Sequence, residues 1–146
     1  MAKKGSNVVF VAIIGEQREL IVSRAFGRDD EAALQLSAYA AMDIVQEKMV
    51  IQHYSTKQGE TSDPYLGFIT PTLLGEEFLK VHAYTAATGF TIIAIFDEQE
   101  APRNAIKQFF EKIHMLFSTT VCNPLMSMRF HYPQFISEID RIAAAF

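Results

Sequence analysis

Two stretches of this sequence, Val8–Ile14 (VVFVAII) and 90–96 (FTIIAIF), carry apolar residues on both parities of a two-residue repeat. Successive side chains of a strand point to opposite faces, so neither stretch has a face suited to water. Their β-branched and aromatic content reads as strand, covered on both sides. Such strands demand a layer above and a layer below. Two of them belong side by side in the middle of a sheet with helices over both faces.

The rest of the chain supplies those layers. A polar turn at 15–18 leads into a returning strand at 19–26, a hairpin with one buried and one peripheral member. Asp29 or Asp30 can cap a helix over about 30–49, whose inward stripe is Leu34, Ala38, Ala41, Met42, Val45 and Met49. Turning about 100° per residue brings Leu36, Tyr39, Ala40, Asp43 and Glu47 together on the opposite side. A solvated face with stray apolar residues is the plain reading of that group. Small residues, an aromatic and a carboxylate on one helical face also suit close contact with another protein.

Residues 52–64 are polar and read as an exposed loop. Extended character resumes at 65–71, where Gly67 and Pro71 suggest a strand at the sheet edge, and 73–77 reads as a turn. In 78–85, Leu79, Val81 and Ala83 alternate with Lys80, His82 and Tyr84, the pattern of a half-exposed antiparallel strand. A helix over 103–121 carries Ile106, Phe109, Phe110, Ile113, Phe117 and Val121 in one stripe and ends at Cys122-Asn123-Pro124. After a Met-rich connector, Pro133 opens a last helix with Phe135, Ile136, Ile139, Ile142, Ala143 and Phe146 inward. The expected architecture is α+β: one domain over 1–146 with its core at about 7–146, an antiparallel sheet, the first helix on one face and the later two on the other.

Several function classes are disfavoured. A formal charge of −4 with no basic run beyond Lys3-Lys4 gives no footprint for a phosphate backbone, so nucleic acid is not an expected partner. A single cysteine, Cys122, suits a reducing compartment, and the longest apolar run is too short to span a bilayer. A cytosolic protein without direct membrane insertion is expected. His53, His82, His114 and His131 lack ligand spacing, the glycines are isolated, and Glu76-Glu77 lies in a polar turn. No catalytic residue, cofactor or metal is expected.

Ala41-Met42-Asp43-Ile44-Val45, Tyr65-Leu66-Gly67 followed by Pro71-Thr72, the strand ending Ile95-Phe96-Asp97, and 109–114 (FFEKIH) running into Cys122-Asn123-Pro124 together resemble the sedlin family of TRAPP vesicle-tethering subunits. The resemblance covers nearly the whole chain from Val8. It implies a longin/profilin-like (SNARE-like) fold, a five-stranded antiparallel sheet with one helix on one face and two helices on the other. It also implies a non-catalytic adaptor role in ER-to-Golgi and Golgi transport. The implied partners are the other TRAPP core subunits and, indirectly, a Rab-type GTPase, with a cytoplasmic location peripheral to ER and Golgi membranes. Asp43 matches the acidic residue of the family's Leu-Asp-aliphatic-Val motif, with Met42 in place of Leu. The rival readings are a longin-type clathrin-adaptor small chain or SNARE-regulatory domain and, further off, a small-molecule-binding domain.

Overall fold

The computed structural model describes residues 8–26, 29–55, 64–74, 76–86, 89–97, 101–122 and 133–146. Its elements are β1 (Val8–Ile14), β2 (Leu20–Ala25), α1 (Glu31–Ser55), β3 (Tyr65–Leu74), β4 (Glu77–Thr85), β5 (Thr91–Phe96), α2 (Arg103–Cys122) and α3 (Pro133–Ala145). The strands form one sheet in the order β2-β1-β5-β4-β3, with every neighbouring pair antiparallel. The two apolar strands therefore sit in the middle, as their patterning requires. They pair from Val8↔Phe96 to Ile14↔Thr91, and every residue of both is buried.

The sheet separates two cores. Phe10, Ala12, Ile14, Leu79, Val81, Ile93 and Ile95 face α1, which contributes Leu34, Ala38, Ala41, Met42 and Val45. Val11, Ile13, Tyr84, Ile92, Ala94 and Phe96 face α2 and α3. An irregularity in β1 between Val8 and Phe10 lets both Val9 and Phe10 join the α1 side. One helix on one face and two on the other is the longin-like α+β arrangement that the resemblance implied.

The stripe of α2 fixes that helix to the sheet. Ile106, Phe109, Phe110, Ile113 and Phe117 are all buried, and at about 1.5–3 kcal/mol each they contribute on the order of 10 kcal/mol before chain entropy is subtracted. Phe110 is the hub: its ring lies 5.6 Å from Tyr65 and 5.8 Å from Tyr84, centroid to centroid. From α3, Phe135, Ile139, Ile142 and Ala143 close the same core.

Three expectations are corrected. First, α1 runs on through residues 50–55 into the segment read as loop, and Met49 is 42% exposed rather than part of the inward stripe. None of residues 46–51 is buried; a helix of 25 residues, about 37 Å long, outruns the sheet beneath it, and Val45 is the last residue of the stripe to be covered. Second, β3 continues to Leu74. Gly67 takes φ +84° beside a register shift, a conformation glycine adopts without strain, and on an edge strand Pro71 costs no ladder bond. Third, β4 is half-exposed only over its first half, at Phe78 and Lys80: His82 and Tyr84 are buried on the α2 side, where the ring of Phe96 meets His82 at 5.1 Å and Phe110 stacks on Tyr84.

Residues 56–63 of the expected 52–64 loop, the turn at 75, the helix end at Asn123-Pro124, the connector after it, His131 and the side chains of His53, Val121 and Cys122 lie outside the described residues.

Candidate partner interface on the first helix

Helix α1 is bound to the sheet along its underside and tied down along both flanks. On one flank Gln35 Nε2 donates to Ser23 Oγ at 2.9 Å, and Ser23 Oγ donates to Glu31 Oε1 at 3.2 Å. On the other, Ser37 Oγ and Thr72 Oγ1 share a hydrogen bond at 3.2 Å, and Lys48 Nζ donates to the Phe68 carbonyl at 3.3 Å. What remains is the crest. Leu36, Tyr39, Ala40, Asp43 and Glu47 are all exposed there, Leu36 by 72% and Tyr39 by 37%. The structure thus brings together on one outward strip all five residues that helical spacing grouped.

The strip is longer than sequence spacing indicated. Val50, seven residues beyond Asp43, returns to the same face and is 54% exposed, with Ile51 beside it at 58%. An α-helix that packs by one face normally turns polar residues outward, whereas this one is apolar on both sides. Reading the helix as ending at 49 hid that extension.

Arg18 is the second addition, contributed by the turn between β1 and β2. Gly15 N–H donates to the Glu19 carbonyl at 2.9 Å and Arg18 N–H to the Gly15 carbonyl at 3.0 Å. Closing this turn places Arg18 at φ +62°, a left-handed conformation uncommon for a residue with a Cβ. The guanidinium then lies against α1, where Nη2 donates to Asp43 Oδ1 at 2.9 Å and to Gln46 Oε1. The Asp43 side chain is still 76% exposed in this pair. Its second oxygen remains available to a partner's donor.

The other polar features build structure rather than chemistry. His82 Nδ1 and Tyr65 Oη share a buried hydrogen bond at 3.0 Å, and burial, reinforced by Lys80 and Arg103, pushes the imidazole pKa down to about 4. Arg103 lies 4.7 Å over the Tyr65 ring. His114 meets Tyr84 Oη at 3.2 Å. Among the described residues no group of three or more His, Cys, Asp or Glu could hold a metal ion, and no helix is long and apolar enough to cross a membrane. A trough of about 580 Å³ between α2 and α3 is floored by Leu116 and Ile142. At its rim Arg141 pairs with Glu138 at 2.7 Å, each group held toward its charged form by the other.

A contact surface on a longin-like frame is what the sedlin resemblance implied, and comparison with known proteins decides the family. The Sedlin family profile matches residues 13–143. The chain belongs to the sedlin family. Among its relatives are the trafficking protein particle complex subunit 2-like protein of Dictyostelium discoideum, 27% identical over 142 residues (92% of this chain, 95% of the relative). The protein of the same description in Bos taurus is 25% identical over 118 residues (80% and 81%). A solved structure of Myxococcus xanthus MglB superposes with a TM-score of 0.45 at 18% identity, covering 80% of this chain and 88% of that one. The sedlin family is a non-catalytic trafficking component.

Proposed function

We propose that this chain is a non-catalytic adaptor subunit of a TRAPP-type vesicle-tethering complex, acting in ER-to-Golgi and Golgi transport and held in the complex by the crest of α1. The observation that carries this reading is the outward strip Leu36, Tyr39, Ala40, Asp43, Glu47 and Val50. It sets two exposed carboxylates, Asp43 and Glu47, among apolar side chains on a helix already fixed to its own core. Such a strip supports docking because apolar contacts supply the affinity while its charges, once desolvated by their surroundings, set orientation and choice of partner. The partners are other TRAPP core subunits, as the descriptions of the relatives suggest. A Rab-type GTPase is reached through those subunits, and the location is cytoplasmic, peripheral to ER and Golgi membranes.

The test is reconstitution. Full chain mixed with recombinant TRAPP core subunits should elute with them in size-exclusion chromatography, and Leu36→Asp should weaken the association at least about tenfold, a loss of about 1.4 kcal/mol, with an unchanged melting curve. Failure to co-elute, or recovery of clathrin-adaptor coat subunits from cells in place of TRAPP subunits, would refute it.

A further inference from the structure

The β3–β4 hairpin is covered on one face and bare on the other. On the α1 side Leu79 and Val81 are fully buried and Thr72 bonds to Ser37. On the opposite side the register stacks three consecutive rungs: Phe68↔His82, Pro71↔Lys80 and Leu73↔Phe78. The first rung meets the α2 core through His82, whose imidazole contacts the Phe68 ring edge-on at 5.7 Å. Beyond it no helix among the described residues lies over the sheet. Phe68 is 45%, Leu73 59% and Phe78 57% exposed. Side chains of this size leave on the order of 300 Å² of apolar surface open, the size at which patches on monomers become functional.

We propose that this bare ladder docks an amphipathic helix from another protein, a helix that carries a carboxylate between two apolar residues. Charge complementarity selects this occupant. Lys80 stands in the middle rung and has no hydrogen-bond or ion-pair partner among the described residues. A second copy of the chain is disfavoured, since a two-fold axis through so small a patch brings Lys80 toward its own mate. A lipid surface is disfavoured by Glu76 and Glu77, both exposed at the hairpin's end, which would meet anionic headgroups first. The dimensions suit a helix: three rungs two residues apart span about 13 Å, close to the roughly 12 Å between helical residues i and i+8, with i+4 midway. In that pose apolar residues at i and i+8 lie on Phe68 and on the Leu73–Phe78 rung, and a Glu or Asp at i+4 meets Lys80. The ladder lies on the opposite face of the sheet from α1, so the adaptor can engage two partners at once.

Photo-crosslinking tests this on the full chain purified with its associated subunits. A benzophenone amino acid is placed at position 73 and, in a separate preparation, at position 36, and the crosslinked peptides are sequenced. The position-73 probe should capture a different protein at a segment with apolar residues at helical spacing around a carboxylate. Lys80→Glu should lower the yield at least tenfold, and changing that carboxylate to Lys should restore it. Capture of a second copy, of lipid, of a segment lacking the carboxylate, or of nothing overturns the proposal. If only the position-36 probe captures a partner, the ladder proposal fails and the α1 reading stands; if only the position-73 probe does, the reverse holds; if neither does, both fail.

Discussion

Asp43→Tyr separates the interface reading of α1 from a structural one. Among the described residues Asp43 makes one ion pair, with Arg18 at 2.9 Å, and both side chains are open to water, at 76% and 43% exposure. An exposed pair of this kind is worth about 0.2–1 kcal/mol. Asp and Tyr have similar helix propensities, and Arg18 keeps Gln46 as an acceptor when Asp43 is removed. The stability cost should therefore stay below about 1 kcal/mol, a fall in Tm of roughly 3 °C for a chain of this size. Binding is a different matter. A carboxylate that shares its strip with Leu36, Tyr39 and Val50 becomes desolvated when a partner covers the strip, and losing such a centre costs about 2 kcal/mol or more, close to thirtyfold in Kd. Thermal melting by circular dichroism and calorimetric titration with the partner subunit give the two numbers. A melting point lowered by more than about 8 °C would make Asp43 a structural residue. An unchanged Kd would refute the interface. Arg18→Ala is the control: it leaves the carboxylate and the apolar strip in place, so its effect on Kd should be clearly smaller, and an equal effect would mean that Asp43 acts only by holding Arg18.

Three further outcomes follow from the packing. Phe110→Ala empties the centre of the Tyr65, Tyr84 and Phe96 cluster and should cost about 3–5 kcal/mol in urea unfolding; a cost under 1 kcal/mol would contradict the α2 stripe. Gly67→Ala places a Cβ at φ +84° and should destabilise by about 1–2 kcal/mol, although the nearest atom, Arg103 Nη1, is 3.5 Å away; a neutral result would show that the bulge can relax. His82 is held at a pKa of about 4, below its ordinary 6.5, so between those values the unfolded chain binds more protons than the folded one. Stability should be full above pH 6.5 and fall as pH drops toward 4, by up to about 1.4 kcal/mol per pH unit. His82→Gln should flatten that part of the profile, and an unchanged slope would assign it to other groups.

The middle of the fold was legible because Val8–Ile14 and 90–96 admit no solvent-facing side, and that condition alone puts the two strands side by side in the middle and places helices on both faces. The α2 stripe was legible for the same reason in a 3.6-residue period. Periodicity does not show where cover ends. Met49 continues the α1 stripe in sequence but lies past the sheet, while His82 and Tyr84 look outward by alternation yet lie beneath Phe96 and Phe110. Gly67 and Pro71 argued for an edge strand, and β3 is one; that it runs on to Leu74, through residues read as turn, they did not show. The five crest residues of α1 could be grouped from spacing alone. Arg18 could not, because its reach to Asp43 depends on a left-handed turn residue 25 positions away in the chain. Leu73 and Phe78 read as turn and strand start; that they form an uncovered rung needed the register.

The central claim, that the α1 crest is covered when this adaptor is in its complex, is tested most directly by carbene footprinting of the chain alone and in the assembled complex. Labelling of Leu36, Tyr39 and Val50 should fall severalfold on assembly, while Met115, 68% exposed on α2 far from that crest, keeps its labelling unless a further subunit covers it. Undiminished labelling at Leu36, Tyr39 and Val50 in a complex that retains the chain would contradict the account.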